Sequence, residues 1–157
     1  MSDAEVRVAL CVARFYEDLA DALEAGAREA LGEAGITAID RFEAPGAFEL
    51  PLISRYAADS GRYAAIVALG AVIRGETDHY DYVCSESARG IQQVQLQTGV
   101  PVGFGVLTVD NYEQALARVK GGMKRDSGRH AAEAALASLA VKRELAARPR
   151  RAGFSIG

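Results

Sequence analysis

Four short apolar runs alternate with stretches of helical period along this chain of 157 residues, and few architectures accommodate such a pattern. Residues 6–13 (VRVALCVA) are rich in β-branched side chains and too short for a helix, which predicts a buried strand. Residues 64–71 (AAIVALGA) give the clearest buried strand, residues 102–108 a fourth, and residues 36–42 a second, weakened by Asp40 and Arg41. Between them, residues 17–34 place Leu19, Leu23, Ala27, Ala30 and Leu31 on one helical face, and Gly35 supplies the left-handed stop. Pro45-Gly46 turns the chain into a short helix at about 48–58, ending near Ser60-Gly61. A long helix at 79–98 is closed by Gly99 and the Val100-Pro101 break. Asp110 followed by Glu113 has the spacing of a cap with an N3 carboxylate, opening a helix to about Lys120. Residues 119–128 are basic and glycine-rich and read as a loop, residues 129–148 as an alanine-rich final helix.

The order β-α-β-α-β-α-β-α-α implies a parallel sheet covered on both faces and joined by right-handed crossovers. Four strands make a small three-layer αβα sandwich of the flavodoxin-like kind. We expect one domain over residues 1–157, with its core at about 5–148 and a loose tail at 149–157. A chain of this size buries roughly 70% of its unfolded surface and needs no disulfide or metal staple.

Composition removes several function classes. A net charge of −3 gives no footing for nucleic acid, which calls for a basic stripe. Residues 1–5 lack the basic start of a secretory signal, and the longest apolar stretch, 64–73, is about half a membrane span. Two cysteines, Cys11 and Cys84, with no CxxC and two histidines, argue against zinc. The expectation is a cytoplasmic protein with reduced thiols.

In parallel sheets of this type, ligands bind beyond the carboxyl ends of the strands. The third exit is the most informative: Gly75 lets a ligand approach the backbone, and Glu76, Thr77 and Asp78 stand where a helix begins. Free N–H groups at a helix start favour an anion such as phosphate, and Thr77 adds a hydroxyl. His79 follows on the first turn, and histidine is the side chain best suited to moving protons near neutral pH. The same spacing also fits Thr77 and Asp78 as plain helix caps with His79 merely exposed. Phe15, after the first strand, either stacks on a heteroaromatic ligand or belongs to the core. Glu49 either binds a polyol or caps its helix. Arg118, with Lys120, Lys124, Arg125 and Arg129, either binds phosphate or is solvated surface. There is no GxGxxG and no P-loop. The residues alone thus reach a small-molecule α/β protein, leave a phosphorylated substrate handled by proton transfer as one open reading, and name no reaction.

Taken together and in order, the motifs resemble the lumazine synthase family. They run from Ala13-Arg14-Phe15 through residues 45–51 (PGAFELP) and 68–77 (ALGAVIRGET) to 79–83 (HYDYV), 99–102 (GVPV), 104–108 (FGVLT) and 113–115 (EQA), covering the chain to about Leu145. The resemblance implies a condensation of 5-amino-6-(D-ribitylamino)uracil with 3,4-dihydroxy-2-butanone 4-phosphate that releases phosphate and water, in riboflavin biosynthesis. Such chemistry requires neither a redox cofactor nor a metal. The resemblance assigns His79 as acid/base, Phe15 as a stacking platform and Ala47, Phe48 and Glu49 as the ribityl lining. It assigns Ala71, Val72 and Ile73 to the pyrimidinedione edge, and Glu76, Thr77 and Arg118 to the phosphorylated substrate. Phe104 matches a residue that reaches the site from a neighbouring subunit of a pentamer.

Two departures stand out. Tyr16 replaces a frequent asparagine, and residues 119–129 (VKGGMKRDSGR) carry at least one residue more than the family's usual turn, so its lysines are not transferred to Lys124, Arg125 or Arg129. In the family that turn correlates with assembly, the regular form with sixty-subunit shells and longer or altered forms with free pentamers or decamers, and the expectation here is a pentamer. A flavin- or lumazine-binding protein without catalysis, or a shell protein, are the competing readings. Retention of His79 with Arg118 argues against the pure binder.

Overall fold

The computed structural model describes residues 5–148; the tail expected at 149–157 lies outside the described residues. The elements are β1 (Arg7–Ala13), α1 (Glu17–Glu33), β2 (Ala38–Ala44), a 3-10 turn (Ala47–Glu49), α2 (Leu50–Asp59), β3 (Ala65–Ile73), α3 (His79–Thr98), β4 (Val102–Val109), α4 (Tyr112–Ala117) and α5 (Ser127–Ala147). The four strands form one all-parallel sheet in the order β2-β1-β3-β4. Helices cover both faces, the flavodoxin-like α/β arrangement read from the sequence.

Strand alternation divides the core in two. Val8, Leu10 and Val12 of β1 join Val67 and Leu69 of β3 and the inner faces of α1 and α5, including Leu19, Leu23, Ala131 and Leu139. Ala9, Cys11 and Ala13 face the other way, with Ile66 and Ala68, onto Leu50 of α2 and Ile91 and Val94 of α3. Burial on both faces is why β1 and β3 read as unbroken apolar runs. Burial pushes the Cys11 thiol up to about 11, which leaves it a packing group rather than a nucleophile.

β2 is an edge strand, and its polar residues are managed accordingly. Asp40 accepts from the Tyr63 hydroxyl at 2.8 Å and pairs with Arg7 at 3.2 Å. At β4, a Cβ on Gly103 would collide with the Ala131 carbonyl, so glycine there lets α5 lie close against the sheet.

Several boundaries differ from expectation for local reasons. The second helix opens with the 3-10 turn, and Pro51 occupies the first turn of α2, where a missing N–H costs nothing. The cap of α4 is Asn111, whose side chain accepts from the Gln114 N–H at 2.9 Å, and not Asp110. That helix stops at Ala117 and not at Lys120, because the Lys124 N–H turns back to the Ala117 carbonyl at 2.7 Å through a loop with Gly121 at φ 88°. Asp126 caps α5, which begins two residues earlier than expected. Among the described residues, no helix is long and apolar enough to cross a membrane.

Candidate active site

In the strand order β2-β1-β3-β4 the chain leaves β1 toward one edge and β3 toward the other. The loops diverge between those two strands and leave a crevice above their carboxyl ends. A cleft of about 490 Å³ occupies this place. Its walls come from the exits of β1, β2 and β3 and from the first turn of α3.

Phe15, Ala47, Phe48, Glu49, Ala71, Val72, Ile73, Thr77 and His79 all line the cleft. Sequence positions as distant as 15 and 79 therefore meet at one rim. Phe15 and Phe48 are 73% and 57% exposed, large apolar rings at the rim of the cleft. Tyr16 packs against Phe15 at 4.9 Å between centroids with the planes at 78°, and its other side leans on the core beneath. This edge contact braces the Phe15 ring. Glu49 makes no capping bond to its helix, which removes the cap reading, and its carboxylate folds over Gly46.

The start of α3 supplies the polar wall. The His79 N–H donates to Thr77 Oγ1 at 3.3 Å, so the Thr77 hydroxyl keeps its own proton for an outside acceptor. Asp78 stands at the cap position without a side-chain capping bond. Among the described residues the backbone N–H groups of residues 75–78 find no acceptor, which leaves them available to an anion. A Cβ on Gly75 would meet no protein atom, so this glycine keeps space open on the ligand side rather than relieving a clash within the fold.

Tyr80 and Val83 also line the cleft, as do Tyr16, Pro45, Gly46 and Gly75. Tyr80 and Val83 were not singled out from the sequence. They begin the inner stripe of α3 that continues through Ser87, Ile91 and Val94, and a helical stripe of that kind reads as core. Burial pushes the Tyr80 phenol up, with the Cys84 thiol beside it adding to the effect.

Glu76, Phe104 and Arg118 stand apart. Glu76 belongs to the same loop but its side chain is exposed outside the cleft. Phe104 lies in the middle of β4 opposite Ala68 and is 41% exposed, well short of the strand end. Arg118 ends α4, with its guanidinium donating to the Gln114 carbonyl at 2.9 Å, outside the cleft of its own chain. Of the basic cluster, Arg129 and Lys120 are engaged by carboxylates of α1: Arg129 with Glu29 and Glu33, Lys120 with Glu29. No group of three or more metal-ligating side chains occurs among the described residues.

Comparison with known proteins gives this geometry a family. A family model described as 6,7-dimethyl-8-ribityllumazine synthase matches residues 5–143. A protein of Kineococcus radiotolerans named 6,7-dimethyl-8-ribityllumazine synthase is 48% identical over 145 residues, 92% of this chain and 89% of that one. Proteins of the same name from Streptomyces avermitilis and Synechococcus elongatus are 47% and 45% identical, covering 90% and 85% of this chain and 88% and 76% of their own. The chain therefore belongs to the 6,7-dimethyl-8-ribityllumazine synthase family.

Proposed function

We infer that this protein catalyses the condensation of 5-amino-6-(D-ribitylamino)uracil with 3,4-dihydroxy-2-butanone 4-phosphate to 6,7-dimethyl-8-ribityllumazine, releasing phosphate and water, in riboflavin biosynthesis. The observation that carries this reading is the meeting of Phe15, residues 47–49, residues 71–73, Thr77 and His79 around one cleft at the crossover point of the sheet. The reaction proceeds by imine formation, loss of phosphate, ring closure and dehydration. Each step moves a proton, and an acid/base group at the rim serves all of them.

In this assignment Phe15 stacks on the pyrimidine ring and the backbone of Ala71, Val72 and Ile73 meets its dione edge. Ala47, Phe48 and Glu49 line the ribityl chain, with the Glu49 carboxylate accepting from its hydroxyls. His79 moves the protons. The phosphate sits at the start of α3, near Glu76 and Thr77. The carboxylates of Glu76, Asp78 and Asp81 crowd that end of the helix, so the anion calls for a guanidinium, and Arg118 supplies it.

Arg118 and Phe104 do not line the cleft of their own chain, and an adjoining protomer delivers both. Exposed apolar side chains support self-association: Leu52 and Tyr56 on α2, Tyr82 and Leu96 on α3, and Phe104 on β4. We favour a pentamer over a decamer or a sixty-subunit shell on the altered 119–129 turn. A cytoplasmic setting suits the free thiols of Cys11 and Cys84. Purified protein incubated with both substrates should develop the absorbance and fluorescence of the lumazine, and native mass on the same sample should read five chains. Tight flavin binding without turnover would identify a binder, and sixty chains would displace the pentamer.

A further inference from the structure

The loop between β3 and α3 carries Gly75 and Thr77 to the cleft with little to hold it from within, since the N–H groups of residues 75–78 have no acceptor among the described residues. Its shape is set at its ends, and Arg74 governs both. The Arg74 N–H donates to the Val109 carbonyl at 2.9 Å, one step past the last register pair, Ile73 with Val109. Its Nε donates to Asp110 Oδ1 at 2.9 Å. Its guanidinium carbon lies 4.2 Å from the centre of the Tyr80 ring, and a terminal nitrogen approaches Asp81 Oδ1 at 3.8 Å. Asp110 is itself anchored, its N–H donating to Gln114 Oε1 at 2.7 Å. One planar side chain thus joins the exit of β4 to the two residues that directly follow His79.

We propose that Arg74 is a positioning residue for His79: by clamping Tyr80 and Asp81 against the β4 exit, it fixes where the imidazole stands in the cleft. The proposal rests on the proton-transfer role given to His79 above. Arg74 does not line the cleft, and its charge is shared between Asp110 and Asp81, so it is poorly placed to act as a free phosphate ligand. Arginine suits the task because its flat fork bonds a carboxylate through one edge while its face lies on an aromatic ring. A misplacement of an acid/base group on the order of 1 Å costs about 100-fold in rate.

The test compares Arg74→Gln, Asp110→Asn, the double variant and Arg74→Lys in the assembled protein. We expect kcat to fall about 10- to 100-fold in Arg74→Gln, with KM for either substrate moving less than about twofold. The double variant should be no worse than the worse single one, because both break one clamp. Arg74→Lys should recover little, since a point charge lacks the fork. The chain has two histidines, so the imidazole proton resonances of the free protein read His79 against His130 of α5. Arg74→Gln should shift or broaden the His79 line and leave that of His130 in place.

Unchanged kcat, or full recovery by lysine, overturns the proposal. A raised KM for the phosphorylated ketone alone overturns it in favour of direct phosphate contact. A lower Tm with kcat and the His79 line unmoved reduces Arg74 to a structural role. Should Arg74→Gln fail to fold, Asp110→Asn carries the same readouts. Absence of turnover in the unaltered protein would refute the proposed reaction instead, while the His79 line would still decide for or against Arg74.

Discussion

His79 spends its backbone N–H on Thr77 Oγ1 and leaves its imidazole exposed at the cleft wall. The pyrimidine, in the proposed arrangement, is held by other groups. His79→Ala should therefore lower turnover by about 10²–10⁴-fold, with the affinity for ribitylaminouracil preserved, as steady-state rates and calorimetric titration of that substrate would show. Equal losses in both would move His79 from proton transfer to substrate binding. At this scale the sequence was readable at the strand exits, because a parallel sheet gathers those exits on one side. Phe15, Thr77 and His79, read from those exits, all border the cleft. Tyr80 and Val83 escaped because a residue on the inner stripe of a helix looks the same whether it meets sheet or open cleft. Glu49 could be read as a cap from its spacing, and only its actual bonds remove that role.

Between elements, the tie of α5 to α1 has a definite dependence on pH. Hydrogen bonds from Lys120 and Arg129 hold the Glu29 carboxyl below its ordinary value of 4.5, and Arg129 does the same for Glu33. A carboxylate depressed on folding stabilises the fold above its unfolded value and loses that contribution as pH falls through its folded value. Arg129→Ala should thus be less stable than the unaltered protein at pH 7, and the gap should narrow as pH falls below 4.5. Both carboxylates are exposed and screened, so the gap in Tm should not exceed about 4 °C. Thermal scans at pH 7 and at a series of values below 4.5 would show it, and a gap that did not narrow with acidification would assign Arg129 a packing role. β1 and β3 were legible because burial on both faces leaves no polar alternation to confuse with a helix. The bounds of α4 were not: Asp110 and Asn111 both cap helices well, and the choice fell to the distant Arg74, which takes Asp110 for itself.

For the molecule as a whole, the periodicity of one chain gave the three layers, while Phe104 and Arg118 fall outside the cleft of their own chain. If an adjoining protomer completes each site, two defective variants should repair one another. Dissociating and reassembling an equal mixture of His79→Ala and Phe104→Ala should restore native pairs at about a quarter of the sites, seen as turnover above the sum of the separate variants. No gain over that sum would mean each chain works alone. Two crossovers that part company above β1 and β3 open the hollow whatever side chains happen to border it. Chemistry here is a tenant of a space the topology built first, so a descendant stripped of His79 and Arg118 would still offer a flat heteroaromatic molecule a place to rest.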